Sequence, residues 1–497
     1  MSDYWAGCFS SSAAGALAEA EGVPFCWPGH LLAAHGVAVG YPGSPVALFI
    51  GHVPTLLEVL VVNILGLFLL AAMGPLAYRL HTFEHLGARS RSALLIIIWC
   101  GFVLMPFAVL KAHGPMRSGV TNFSLAYLGV LSSFRLLELL WGTGPKGFDT
   151  TMRNFTLYLA SPAEVSFDED GRPRIALPGT RLRLFRRLIC DYLLMTLVLS
   201  LGRATAFTPF LEGSGVVDIA ALPLLGFPGA LPAVYLQAAH LYTVLATMLL
   251  FYQFLMALLG FDTRDAMRRP LLASTSVRDF WGQRWNLLIH RMMKRSFFEP
   301  FKGASVASRR IGGLLAFGVS GLFHEYMWLV LNWTKLESYT PGGPLLFFGA
   351  QFAICASEAR LRKTMLGRAF EALPMPLQTA ITTLVILPFG PLFLRGLHMG
   401  GLMTDCAVAF PTVALAEDAE RLLLIPGSSR VVLLLRCIVM AIPVGLGLAL
   451  LHRRRRRLSR VRYLNACIGG VEGGHACVVP VTTSYDSSDL EHRVVGA

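Results

Sequence analysis

Two short segments carry the residue types from which proton or acyl chemistry could be built. One is Arg278-Asp279-Phe280-Trp281-Gly282-Gln283-Arg284-Trp285-Asn286, which sets a carboxamide among aromatic rings. The other is Ser320-Gly321-Leu322-Phe323-His324-Glu325, inside an apolar run. His324 lies about fourteen residues into that run, counted from just beyond the basic pair Arg309-Arg310. At about 1.5 Å per residue it sits near the middle of a bilayer-spanning helix, where an ionisable group is costly and calls for a reason. A neutral imidazole at that depth has two uses. It can be a hydrogen-bonding group between helices, or it can accept a proton from a substrate hydroxyl as a general base. Ser320, four residues earlier, shares its helical face and is placed to fix the ring tautomer. Glu325 points elsewhere, as a second polar contact or a member of a structural ion pair.

Other chemistries fit less well. His324-Glu325 lacks the second histidine of a zinc-protease helix, because that position is Trp328. His81 and His85 have one-turn spacing but no third ligand nearby, so a solvated loop is expected and no metal. The nine cysteines show no metal or redox spacing. Cys8 and Cys26 could pair in an oxidising lumen or remain free thiols. With no serine or cysteine paired to a base, direct transfer is favoured over an acyl-enzyme. Asn286 opens a helical pattern, with His290 one turn later on the same face, and is either a helix-start residue or a polar partner in the chemistry. The basic residues around it suit cytosolic retention and lipid headgroups, or the phosphates of coenzyme A.

The elements that must hold these groups follow from composition. Of 497 residues 54% are hydrophobic and only 15% charged, and the mean hydropathy is +0.58. A soluble globule carries nearer a quarter charged residues, so this is a polytopic membrane protein. Apolar stretches approaching or exceeding the roughly twenty residues a crossing needs occur at 55–78, 92–110, 120–141, 188–207, 232–259, 311–332, 344–357, 375–395 and 431–451. The seventh is short enough to be a re-entrant or interfacial segment instead. The expectation is an all-α protein with about nine transmembrane helices.

The net charge of +13 is laid down in alternate loops. Residues 1–55 hold no Lys or Arg, and neither do 208–231. The loops at 79–91, 142–187, 260–310 and 360–368 are basic, and Arg453 to Arg457 follow the last stretch. Since Lys and Arg stay on the cytosolic side, the N-terminus is expected in the lumen and the C-terminus in the cytosol. Lys111 and Arg117, on a lumenal turn, are the exception. No nucleic-acid partner is implied. With no basic segment ahead of the first apolar run, that run is expected to serve as its own insertion signal.

The chain therefore divides into a variable lumenal arm (1–54), N-terminal membrane helices (55–259), a cytosolic loop with the Asn motif (260–310), C-terminal membrane helices with the buried His (311–452) and a cytosolic tail (453–497). A loop of about fifty residues is too long to be structureless. Within it Trp285, Leu288, Ile289, Met292, Met293 and Phe297 fall at helical spacing, opposite Arg291, Lys294 and Arg295. That is the pattern of a basic amphipathic helix in the membrane interface. No internal repeat is visible, which weighs against a transporter built from two related halves.

The stretch from Pro270 to Asn286, with Val319-Ser320-Gly321-Leu322-Phe323-His324-Glu325 after it, resembles the wax synthase branch of the membrane-bound O-acyltransferase family. Order, separation and the buried histidine all fit. Gln283 stands where that family often has a basic residue. The resemblance implies His324 as general base and Asn286 as a second catalytic polar group, with Trp281, Arg284, Trp285 and Ser320 as substrate-binding candidates. It implies esterification of a lipophilic alcohol by acyl-CoA, a co-substrate rather than a cofactor, in the endoplasmic reticulum. A sterol or diacylglycerol acceptor is the alternative within the same chemistry. A lipid transporter, with His324 and Asn286 lining a path, is the alternative outside it.

Overall fold

The computed structural model describes residues 53–410, apart from 205–230 and short gaps at 84, 86, 115, 117, 302–304, 403–404 and 407–409. It also describes three strands at 37–39, 46–50 and 412–415. The helices are α1 (Val53–Thr82), α2 (Ala88–His113), α3 (Gly119–Trp141), α4 (Met152–Ala160), α5 (Thr180–Ala204) and α6 (Leu231–Leu258). After them come α7 (Pro270–Ala273), α8 (Val277–Asp279), α9 (Leu287–Met293), α10 (Val306–Leu331), α11 (Gly343–Leu361), α12 (Met365–Ala372), α13 (Met375–Ile386) and α14 (Gly390–Met399). The fold is a multi-pass helical bundle. It departs from the all-α expectation in one small antiparallel sheet, β1 (Val37–Val39), β2 (Val46–Ile50) and β3 (Thr412–Leu415), which draws two strands from the segment expected to be a lumenal arm.

Eight of the nine apolar stretches fall on helices, and the ninth, 431–451, lies outside the described residues. Six helical segments among the described residues are long and apolar enough to cross a membrane: Leu57–Thr82, Ala88–His113, Gly119–Trp141, Val234–Leu258, Ala307–Leu331 and Met375–Met399. Six of the nine expected crossings are met by these segments. Helix α5 carries Arg181, Arg183, Arg186, Arg187 and Asp191, so its uncharged stretch is short of a crossing. Helix α11 has only 19 residues and ends in Glu358 and Arg360.

Burial differs sharply among the six. In α1 and α2 about a fifth of the apolar window is covered by protein, whereas in α3 the share is 83%. Helix α3 is therefore the central post of the bundle, with α1, α2 and α10 packed on it. Its interior position explains its composition. Arg135 and Glu138, both fully buried, interrupt an otherwise apolar sequence because they face partners rather than lipid.

The 260–310 region is helical where the amphipathic pattern from Trp285 to Phe297 expected it, from Leu287 through Phe298. It is a chain of short pieces: α7, α8, a π-helical turn at Phe280–Arg284, α9 of seven residues, and a second π-helical turn at Lys294–Phe298. Leu287 is buried, and Leu288, Ile289, Met292 and Met293 belong to the main core. The basic side is not given over to water either. Arg295 bonds Glu138 at 2.9 Å, Glu164 at 3.0 Å and the Tyr158 hydroxyl at 3.1 Å, and Arg291 pairs with Glu164. Two of the three arginine and lysine side chains expected to face the membrane surface thus anchor the region to the bundle.

Candidate active site

His324 stands on α10, and its neighbours are set by how closely α11 approaches. Gly321 permits that approach, since a methyl group there would lie 2.8 Å from the Cα of Leu345. The result is an aromatic cage. Phe348 of α11 stacks on the imidazole at 4.8 Å with an interplanar angle of 25°, and Phe393 of α14 meets it edge-on at 4.9 Å. Trp328, one turn on, adds a second edge contact at 5.6 Å. Trp328 is itself held by a hydrogen bond from its Nε1 to the Phe393 carbonyl, at 3.1 Å.

The ring's own hydrogen bonding is decisive. Nδ1 lies 2.7 Å from the carbonyl oxygen of Ser320. A carbonyl only accepts, so Nδ1 must carry the proton and Nε2 keeps its lone pair. The sequence pointed to Ser320 as a residue able to fix the tautomer. The fixing group is its main-chain carbonyl, which any residue at this position would supply.

His324 opens onto a cavity of about 70 Å³, well below the roughly 300–1,000 Å³ of a site that encloses a whole ligand. It is the size of a reacting centre. Its lining combines the aromatic rings of Phe280, Trp281, Trp285, Phe347, Phe348 and Phe393 with the aliphatic side chains of Leu241, Leu271, Ile386, Leu387 and Leu394. Apart from His324 and the indoles, the lining side chains contribute one polar group, the Thr383 hydroxyl, which already donates to the Thr379 carbonyl at 2.8 Å.

The six residues singled out from the sequence separate into two sets. His324, Trp281 and Trp285 line the same cavity. Trp285 stacks on Phe280 at 15°, and Trp281 meets Trp285 and Phe347 edge-on. Asn286, Arg284 and Ser320 are not among the lining residues. Asn286 has a left-handed backbone (φ 35°, ψ 63°), and its Oδ1 accepts from the Ile289 N–H at 3.3 Å as the cap of α9. Asn tolerates this conformation better than most residues. Arg284 bonds Asp279 at 2.6 Å, and Asp279 in turn accepts from the Thr275 N–H at 2.9 Å. Both residues therefore shape the turn that carries the two tryptophans to the cavity.

Glu325 faces away from the cavity. It accepts from the Tyr339 hydroxyl at 2.8 Å and from the Gly342 N–H at 2.7 Å, and so holds the entry to α11. Phe348, Phe393 and Gln351 carry no motif and escaped the sequence reading. For Gln351 a signal existed, since it is a lone amide in the apolar stretch 344–357.

Residues 264–349, which include both motifs, match the family described as "Membrane bound O-acyl transferase family". The chain is 30% identical over 173 residues to "Probable long-chain-alcohol O-fatty-acyltransferase 9" of Arabidopsis thaliana, covering 31% of this chain and 48% of that protein. It is 32% identical over 120 residues to "Long-chain-alcohol O-fatty-acyltransferase" of Simmondsia chinensis, covering 22% of this chain and 32% of that protein. A longer, weaker match, 23% over 289 residues, is to "Acyl-CoA--sterol O-acyltransferase 1" of Arabidopsis thaliana, covering 56% of this chain and 74% of that protein. The matched stretch thus spans less than half the length of the first two relatives. The resemblance to the wax synthase branch, read from the residues around Trp281 and His324, is borne out by these matches: residues 264–349, which hold both motifs, are similar to the membrane bound O-acyl transferase family.

Proposed function

We propose that the chain is an acyl-CoA-dependent O-acyltransferase of wax synthase type, which esterifies a long-chain or similarly lipophilic alcohol, with His324 as general base. The supporting observation is the bond from Nδ1 to the Ser320 carbonyl, which leaves Nε2 as a proton acceptor beside an apolar cavity formed in part by the family segment. The hydroxyl proton of the alcohol passes to Nε2 as its oxygen bonds to the thioester carbonyl carbon, and the carbonyl electrons move onto oxygen. Collapse restores the C=O, breaks the C–S bond and expels the coenzyme A thiolate. The thiolate then takes the proton from the imidazolium. The products are an ester and free coenzyme A.

A small, apolar reacting centre suits this pair of substrates. Excluding water favours ester formation over hydrolysis and strengthens every polar interaction with the reacting atoms. The acyl and alkyl chains extend from the cavity between the surrounding helices, while the polyanionic coenzyme stays at the basic, cytosolic side. This reading includes a lumenal N-terminus, a cytosolic C-terminus and residence in the endoplasmic reticulum, and it needs no cofactor. Asn286 contributes either directly, by holding the carbonyl oxygen or the alcohol in line, or through the turn it caps.

Membranes containing the protein, supplied with labelled palmitoyl-CoA and in turn with fatty alcohol, sterol or diacylglycerol, test the proposal. Ester from fatty alcohol is expected. The relative named as a sterol O-acyltransferase favours sterol as the second reading, and sterol ester in place of wax ester would establish it. Movement of lipid across vesicles with no covalent product from any acceptor would point to a transporter.

A further inference from the structure

Gln351 of α11 is 0% exposed. Its Oε1 accepts from the indole Nε1 of Trp281 at 3.1 Å. The indole only donates, so this bond also settles which way round the amide lies. Its Nε2 then carries two N–H groups that meet no acceptor among the described residues. A buried donor left unpaired costs about 1–3 kcal/mol. Sixteen buried side-chain polar atoms lack a hydrogen-bond partner among the described residues, and Gln351 is not itself among the lining residues of the cavity, but the indole it holds is. An unpaired donor directly behind that wall points to a partner that arrives with the substrate.

Its place in the fold says what that partner is. Gln351 lies on the same face of α11 as Phe347 and Phe348, which line the cavity. It follows Phe348, the ring stacked on His324, by about 4.5 Å of helix rise in the direction of Arg360 and Arg362. Its one bonded partner, Trp281, is itself a cavity wall. The amide is therefore offset from His324 towards the basic end of the helix, the side from which a polyanionic acyl donor approaches in the reading above.

We propose that Gln351 is a catalytic residue whose amide N–H groups hold the carbonyl oxygen of the acyl thioester, and hold it more strongly as that oxygen gains charge in the tetrahedral intermediate. This rests on the acyltransfer reading. The Trp281 bond fixes the amide beforehand, so no reorganisation is needed when charge develops. That is the condition under which such a donor is effective.

Two substitutions test the assignment. Gln351→Met removes both polar atoms at nearly constant length. It should lower kcat roughly 100- to 1,000-fold, as loss of an oxyanion donor does, with a much smaller change in KM for acyl-CoA. Gln351→Glu keeps an acceptor for Trp281 but buries a carboxylate, so for a residue that merely held that indole any loss of turnover should follow the loss of Tm. The proposal instead expects low activity at alkaline pH, where a carboxylate has no proton to donate, and recovery as the pH is lowered. Wild-type protein should show no such acid-side recovery. Full activity of Gln351→Glu across the pH range, or an unchanged kcat in Gln351→Met, would overturn it. Failure of the wild-type protein to make any ester would instead remove the acyltransfer reading, so the two failures are distinguishable.

Discussion

The carbonyl oxygen of Ser320 accepts a hydrogen bond from the Nδ1–H of His324 at 2.7 Å, one turn back on the same helix. That single contact converts an isolated buried imidazole into one with a defined tautomer and a lone pair on Nε2.

Replacing the base should therefore stop the reaction without unfolding the protein. His324→Ala is expected to reduce ester synthesis by roughly 100- to 10,000-fold, the usual contribution of a general base, while abundance and membrane insertion are kept. Ser320→Ala preserves the main-chain carbonyl and should cost far less. Turnover comparable to wild type in His324→Ala would remove this residue from the mechanism.

Asn286 combines a left-handed backbone with a side-chain cap on α9. Glycine reaches the same backbone region without a penalty, and at a cap it loses only a few tenths of a kcal/mol relative to Asn, whereas Ala loses about 1 kcal/mol. If Asn286 works through the turn, Asn286→Gly should retain more activity and a higher Tm than Asn286→Ala. Equal loss of turnover in both, with Tm unchanged, would show instead that the carboxamide acts on the substrate.

Arg295 lies between Glu138 and Glu164, and both carboxylates are almost fully buried. Removing the cation would leave Glu138 inside the bundle without its ion-pair partner, while Glu164 would keep Arg291. Arg295→Ala should cost about 3–5 kcal/mol, as breaking buried pairs does. Denaturation in detergent would measure it. A loss below about 1 kcal/mol, the range of a surface pair, would mean that the network is solvated.

Two groups outside the spans make stability fall in acid. Burial, with Arg291 and Lys294 adding to it, pushes the His290 imidazole down to about 4. Unfolded chains bind that proton near an imidazole's ordinary value and the folded protein does not, so stability should decline between about pH 6.5 and pH 4. Burial raises the Glu164 carboxyl, but Arg295 and Arg291 outweigh it and hold the group below its ordinary range. Its contribution is present above that range and is lost as the pH drops through the depressed value. Tm measured against pH should flatten in the His290-dependent window in His290→Gln, while the further loss at lower pH persists. An unaltered profile in that variant would assign the first decline to another group.

Much of this molecule was legible in one dimension. A hydrocarbon core demands long, uncharged, helical runs, so eight of the nine apolar stretches fall on helices and the run bearing His324 is one of the six able to cross. The Trp281, Trp285 and His324 positions could be read because their residue types are costly or unusual in such surroundings. What a linear pattern could not decide was direction. The spacing of Arg291 and Arg295 fits an interfacial helix as well as a buried one, and only Glu138 and Glu164, more than a hundred residues away, turn them inward. Likewise Asn286 and Arg284 stand beside Trp281 in sequence but face their own turn, because backbone conformation and ion pairing outrank adjacency. Phe348 and Phe393 join the site solely because α11 and α14 pack against α10. Contacts between distant segments are energies of three-dimensional packing, and no local period encodes them.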